Sequence, residues 1–225
     1  MALILNIDTA VDLASLCLAK DEEVLSIARN ESQKDHASWL HIAIKEIFEK
    51  NNLGLGSVDA LAVTGGPGSY TGLRIGMATA KGICFALNKP LISLNTLLVM
   101  ANAAKDESAD LLCPMIDARR MEVFTAIYTK GLKVVKEPVA MTLNENSFAE
   151  YLSNKNICFF GNGSNKLKAI EKSPQAFFSD IKSDASSMIS LSEKSFTEKK
   201  FADLAYAEPL YLKEFYTPAK RPFTK

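Results

Sequence analysis

Along the first hundred residues the apolar and polar positions change rhythm in a definite order. Leu3 to Ile7 is apolar at every position but Asn6 and stops at Asp8-Thr9-Ala10, as a buried strand does when it reaches a turn. Leu13 to Ala19 and Glu23 to Asn30 follow as two more strands, joined by the polar turn Lys20-Asp21-Glu22. This spacing predicts an antiparallel meander. From Asp35 to Lys50 the period becomes helical, with Asp35 placed to cap the helix. Val58 to Val63 reads as a fourth strand, and a helix from about Gly72 to Leu87 is stopped by Asn88-Lys89-Pro90. Pro90 to Leu94 is a short fifth strand, and Thr96 to Asn102 begins another helix.

Three antiparallel strands followed by helix, strand, helix, strand and helix do not make a Rossmann pattern, which alternates from its start. The order is that of ribonuclease-H-like units, the building block of actin-like proteins. After Asp106-Glu107-Ser108 the chain starts again, with strands at Leu111 to Ile116, Glu122 to Tyr128 and Lys133 to Ala140. A helical stretch at Ser147 to Leu152, a strand at Ile157 to Phe160 and weaker helices follow. The expectation is an α/β protein of the actin-like, ribonuclease-H-like (ASKHA) fold, with two lobes of mixed sheets flanked by helices. Residues 1–102 form the first lobe, and 103–225 a smaller, degenerate second lobe whose C-terminal segment packs back on the first.

Composition narrows the function classes. Lysine plus arginine, 26, equals aspartate plus glutamate, 26, which argues against a strong stand-alone nucleic-acid binder. Cys17, Cys84, Cys113 and Cys158 lie far apart in apolar surroundings without a C-x-x-C pair, as buried thiols in a reducing compartment do. No apolar run reaches membrane-spanning length, and the N-terminus carries neither a basic start nor a cleavage site. These features predict a cytoplasmic protein with no membrane partner.

Eight of the eleven glycines fall between Gly54 and Gly82, concentrated at the junction between the fourth strand and its helix. The segment Gly65 to Gly76 contains neither a P-loop nor a G-x-G-x-x-G fingerprint. Two uses remain. Ser69 or Thr71 caps the helix while free amides bind an anion, or Gly72, Gly76 and Ala80 form a flat stripe for a second helix. Asp8 and Thr9, with Gly66, Gly68 and Ser69, are the candidate ligand loop. A kinase of this fold needs a second glycine hairpin and a glycine-rich adenosine loop, whereas here Gly161-Asn162-Gly163 stands alone.

The only histidines, His36 and His41, are five residues apart, which is not the spacing that places two metal ligands on one helix face. From Ala37 to Phe48 eight of twelve positions are apolar, including the only tryptophan, Trp39. Such a helix needs cover on more than one side, from its own lobe or from a partner. Asp117-Ala118-Arg119-Arg120-Met121-Glu122 mixes both charge signs, as a solvated turn or a ligand-facing loop would. The tail carries Lys213, Lys220, Arg221 and Lys225 against Glu214, either simply solvated or set against a partner or RNA.

Taken together, these residues resemble the TsaB (YeaZ) family, accessory subunits of tRNA threonylcarbamoyladenosine biosynthesis. The resemblance rests on Ile7-Asp8-Thr9, on Gly66 through Gly76 (GPGSYTGLRIG), on Lys81-Gly82, on Asp117-Ala118-Arg119-Arg120 with Glu122 and Val123, and on Pro209-Leu210-Tyr211-Leu212. The glycine motif is long and specific, and the later matches are short. Tyr70 stands where the family often has phenylalanine. In the related transferase subunit an N-H-x-x-x-H pattern holds the metal. Aligned on Asn95, those positions here are Thr96 and Met100, which cannot make that site.

The resemblance implies a non-catalytic subunit without metal or cofactor that pairs with the transferase through its first two helices. A P-loop ATPase then joins, tRNA is reached indirectly, and a homodimer forms when the partner is absent. Trp39, Leu40, Ala43, Ile44, Gly72, Leu73, Gly76 and Ala80 are the expected interface, so Gly76→Leu would block pairing and leave the monomer folded. The competing class is an actin-like enzyme, either a small-molecule kinase or a metal-dependent peptidase.

Overall fold

The computed structural model describes residues 2–30 and 36–213, with the side chain of His36 omitted. The Asp35 cap and the tail beyond Lys213 lie outside the described residues.

The opening apolar run forms β1 (Leu3–Asp8), buried along its whole length. It pairs antiparallel with β2 (Ala14–Lys20), which pairs antiparallel with β3 (Glu23–Asn30). Asp21 and Glu22 take left-handed angles, φ 53° and 66°, and so make the two-residue turn that suits a twisted hairpin. β4 (Ala60–Gly66) lies parallel to β1 on its other side, and β5 (Leu91–Asn95) lies parallel to β4. The sheet order is β3-β2-β1-β4-β5.

Helices α1 (His36–Lys50) and α2 (Tyr70–Leu87) cover one face of this sheet, and α3 (Thr96–Ala103) leads out of it. Ser69 caps α2 by accepting from the Gly72 amide, and a left-handed Asn88 ends it. Asn95 caps α3 by accepting from the amides of Leu97 and Leu98. Leu40, Ile44, Ile47 and Phe48 from α1 meet Met77, Ala80 and Cys84 from α2 over Leu5, Ile7 and Leu61.

The second sheet repeats the topology in full. β6 (Leu111–Asp117) pairs antiparallel with β7 (Glu122–Thr129), which pairs antiparallel with β8 (Val134–Thr142). β9 (Ile157–Phe160) and β10 (Ala176–Ser179) add in parallel on the other side, giving β10-β9-β6-β7-β8. The two halves differ in their helices. α4 (Ala149–Leu152) and α5 (Ser164–Lys168) have four and five residues, against 15 and 18 for α1 and α2.

The two halves meet through α3. Leu97, Met100 and Ala101 pack against Leu112, Ile116 and Phe160 of the second sheet. The chain then returns to the first sheet. α6 (Ile189–Thr197) packs on β5 and β1, and Ala202 forms a bridge with Leu91.

Candidate functional site

The glycine-rich junction begins inside β4, because Thr64 and Gly66 are still paired with β5, with Gly65 at a register shift between them. A cis Gly66-Pro67 bond then turns the chain toward α2. Asp8, Thr9, Gly66, Gly68 and Ser69 do converge here, at the carboxyl ends of β1 and β4. Several of their polar groups, however, are engaged by the chain itself. The Ser69 amide donates to the Ala10 carbonyl at 2.7 Å, and a side chain on Gly68 would run into that same carbonyl. The Thr9 hydroxyl donates to the Gly72 carbonyl at 2.7 Å. Gly66, left-handed at φ 112°, backs onto the Leu210 carbonyl, 2.6 Å from where its β-carbon would stand. The Leu210 amide donates to Gly65 at 2.7 Å. The surface that an anion would approach holds two segments of the protein's own backbone.

Asp8 is the one unusual electrostatic feature of this junction. Its Oδ1 accepts from the Ala10 amide at 3.1 Å and from the Thr64 hydroxyl at 2.9 Å. Its Oδ2 is buried with no partner among the described residues. Burial pushes the carboxyl up to about 6, against the lowering effect of those two hydrogen bonds.

The residues expected at a partner interface point the other way. Leu40, Ala43, Ile44, Leu73 and Ala80 are core residues of the first lobe, and half-buried Trp39 packs on the same cluster. Gly72 is buried because the Thr9 carbonyl fills the place of its side chain. Gly76 lies against the Thr9 hydroxyl and Val63 for the same reason. The small-residue stripe is therefore the seam between α2 and its own sheet. Its flatness serves contact with β1 and β4, so Gly76→Leu would strike the monomer itself.

The same two helices present a different set of residues outward. Ile42 on α1 is 58% exposed and Phe85 on α2 is 81% exposed. Ala78, Gly82 and Ala86 are exposed beside Phe85, and a β-carbon on Gly82 would meet nothing within 4 Å. These positions had a readable signal. Leu73, Met77, Ala80 and Cys84 already complete an inward face at helical spacing, which leaves Phe85 outside it. Leu40, Ala43, Ile44 and Ile47 do the same for Ile42.

The C-terminal signature forms a strap along α2. Lys81 donates to the carbonyls of Ala205 and Ala207 at 3.3 and 2.8 Å. The Tyr211 ring lies tilted against Tyr70, with centroids 5.2 Å apart. Arg74 lies 4.0 Å over the Tyr70 ring and donates to the Tyr211 hydroxyl at 3.2 Å. Lys213 then reaches across to pair with Glu122 of the second lobe. Thr96 and Met100 are both buried on α3. A cleft of about 630 Å³ lies between Val11-Asp12-Leu13, Met100, Gly161-Asn162 and residues 179–183. Asn162 donates to Asp12 across it at 2.8 Å. Among the described residues no group of three His, Cys, Asp or Glu side chains is placed to hold a metal. No helix there is long and apolar enough to cross a membrane.

Two sheets of the same 3-2-1-4-5 order, with a glycine junction after the fourth strand, define an actin-like, ribonuclease-H-like protein. The family model for the tRNA N6-adenosine threonylcarbamoyltransferase TsaD matches residues 24–218. A curated TsaB from Buchnera aphidicola (subsp. Baizongia pistaciae) is 30% identical over 73% of this chain and 76% of its own length. The TsaB of Haemophilus influenzae is 36% identical over 63% of this chain, and that of Escherichia coli is 34% identical over 56%. The matches span 58% and 55% of those two relatives. All three carry the name tRNA threonylcarbamoyladenosine biosynthesis protein TsaB. YeaZ from Pseudomonas aeruginosa superposes with a TM-score of 0.79 at 23% identity, covering 94% of this chain and all of that one. That likeness bears on the fold alone. The chain belongs to the TsaB (YeaZ) family.

Proposed function

We propose that this protein is a non-catalytic subunit of the assembly that forms N6-threonylcarbamoyladenosine at position 37 of tRNA. In this reading it pairs with the metal-dependent transferase, whose family model also fits its own sequence. The observation that carries the proposal is the outward face of α1 and α2. Ile42 and Phe85 stand exposed there on helices whose other faces are fully used, and exposed large apolar groups around small residues fit a helix-on-helix interface. A homodimer through the same face is the state expected without the partner, and a P-loop ATPase joins the pair.

Two observations support a non-catalytic role over a kinase or peptidase. The glycine junction is closed by Ala10 and Leu210. A threonine and a methionine hold the positions of the transferase's metal-binding histidines.

The test is co-purification with the transferase. The double variant Ile42→Glu, Phe85→Glu is expected to keep its melting temperature and lose the pair, because burying either new charge is prohibitive. Retained pairing overturns the interface. Tight one-to-one binding of ATP and metal by the isolated chain, measured by titration calorimetry, overturns the non-catalytic role.

A further inference from the structure

The hairpin between β6 and β7 has a backbone that its side chains do not explain. Arg119 and Arg120 are both left-handed, at φ 70° and 48°, a region where a β-carbon is unfavourable and asparagine or glycine is the usual choice. The hairpin is nevertheless well fixed. The Arg119 amide donates to Asp117 Oδ1 at 2.6 Å, the Glu122 amide to Arg119 at 3.0 Å, and the Leu143 amide to Met121 at 2.7 Å.

The two carboxylates of the hairpin are each paired with a lysine from elsewhere, and Asp117 also feels the charge of Arg119. Lys166 pairs with Asp117 at 2.7 Å, and Lys213 pairs with Glu122. Both arginines are exposed, and neither forms an ion pair among the described residues. In a chain of zero net charge, this tip is a local concentration of cation on a rigid support. Two adjacent guanidinium groups suit phosphate, which each can grip with paired N–H donors. Met121 is the only exposed large apolar side chain at the tip, so the surface lacks the apolar centre of a protein interface. It also belongs to the second sheet, whereas α1 and α2 pack on the first.

We propose that Arg119 and Arg120 bind phosphates of an RNA backbone, giving the assembly a contact to tRNA through this subunit. The choice of RNA rests on the role proposed above, and the phosphate chemistry rests on the hairpin alone.

The test compares wild type with Arg119→Asn, Arg120→Gly, residues that suit left-handed angles. This variant is expected to melt at or above the wild-type temperature, so a binding loss cannot be blamed on unfolding. Affinity for unmodified tRNA is measured at 50 and 150 mM salt for the full chain, for the transferase, and for the two together. The variant is expected to bind tRNA at least tenfold more weakly at 50 mM salt. Loss of two phosphate contacts should reduce the slope of log K against log salt by about 1.4 to 1.8. Unchanged affinity and slope in both the full chain and the pair overturn the proposal. Binding of ATP or inorganic phosphate that the variant abolishes, with tRNA binding intact, overturns it in favour of a free anion. Lost transferase pairing with tRNA binding intact overturns it in favour of a protein contact. If wild type does not pair with the transferase, the proposed function fails, and the measurement on the full chain alone still decides the hairpin.

Discussion

The carbonyl oxygen of Thr9 occupies the place that a β-carbon on Gly72 would take. This contact sets how close the start of α2 lies to the end of β1, and it explains the glycine without any ligand. Alanine at a helical glycine ordinarily gains up to about 1 kcal/mol. Here the obstacle is backbone, which cannot swing aside, so overpacking wins and Gly72→Ala should cost about 1–3 kcal/mol. For a chain of this size that is a fall of roughly 2–12 °C in melting temperature. Gly82→Ala is the control, since its added methyl meets nothing, and it should raise the melting temperature slightly. Calorimetry on the two variants reads out opposite signs.

Leu40 and Phe85 separate stability from association. Leu40 is fully buried beneath α1, and Leu40→Ala should destabilise the monomer by about 2–5 kcal/mol. Phe85 is exposed, so Phe85→Ala should stay within about 0.5 kcal/mol of wild type in chemical denaturation. It should nevertheless weaken pairing with the transferase. A Phe85→Ala variant with full pairing would remove Phe85 from the proposed interface.

These contrasts also mark what the sequence could and could not reveal. The order of β1 to β5 was legible because each apolar run is bounded by a turn residue or proline. The period of α2 likewise showed that Gly72, Gly76 and Ala80 share one face. Periodicity does not name the neighbour that a face meets. The neighbour proved to be Thr9 and Val63, brought there by a parallel pairing of β1 with β4 across more than fifty residues. β10 was missed because Ala176–Ser179 is four residues long and only partly buried. The partners of the strap were not visible, since its contacts with Leu91, Gly65, Lys81 and Tyr70 are long-range and no local pattern encodes them.

Asp8 gives the protein a pH dependence of defined sign. Its carboxyl rises from 3.8 to about 6 on folding because burial disfavours the charge. Between those values the folded state holds more protons than the unfolded one, so this group's contribution is favourable below pH 4 and is lost as pH rises through 6. The two-unit rise corresponds to about 3 kcal/mol. Asp8→Asn keeps an Oδ1 acceptor for Ala10 and Thr64 and removes the titration. The difference in stability between wild type and Asp8→Asn should therefore shift in favour of the variant from pH 4 to 6.5 and stay flat above. Denaturant midpoints at several pH values test this, and a constant difference would contradict it.

The strap from Ala202 to Lys213 should be a structural part of the first lobe, with more at stake than its irregular backbone suggests. Ala202, Leu204 and Ala207 pack on the core beneath α2, and the Ala202 amide donates to the Leu91 carbonyl at 2.8 Å. Lys81 is spent on two strap carbonyls, bonds of about 1 kcal/mol each, so Lys81→Ala should loosen the segment without unfolding the lobe. Limited proteolysis should then cut between residues 202 and 213 faster than in wild type. Ending the chain after Phe201 is a harsher change. It uncovers Leu91 at the outer edge of the first sheet, bares the backbone of Gly65 and Gly66, and leaves an unpaired strand edge of the kind that recruits other chains. The truncated protein should melt several degrees lower and appear partly as aggregate in size-exclusion chromatography. Lys81→Ala should remain a well-behaved species of wild-type size. A truncated chain with wild-type melting and elution would show that the first lobe is complete without its strap.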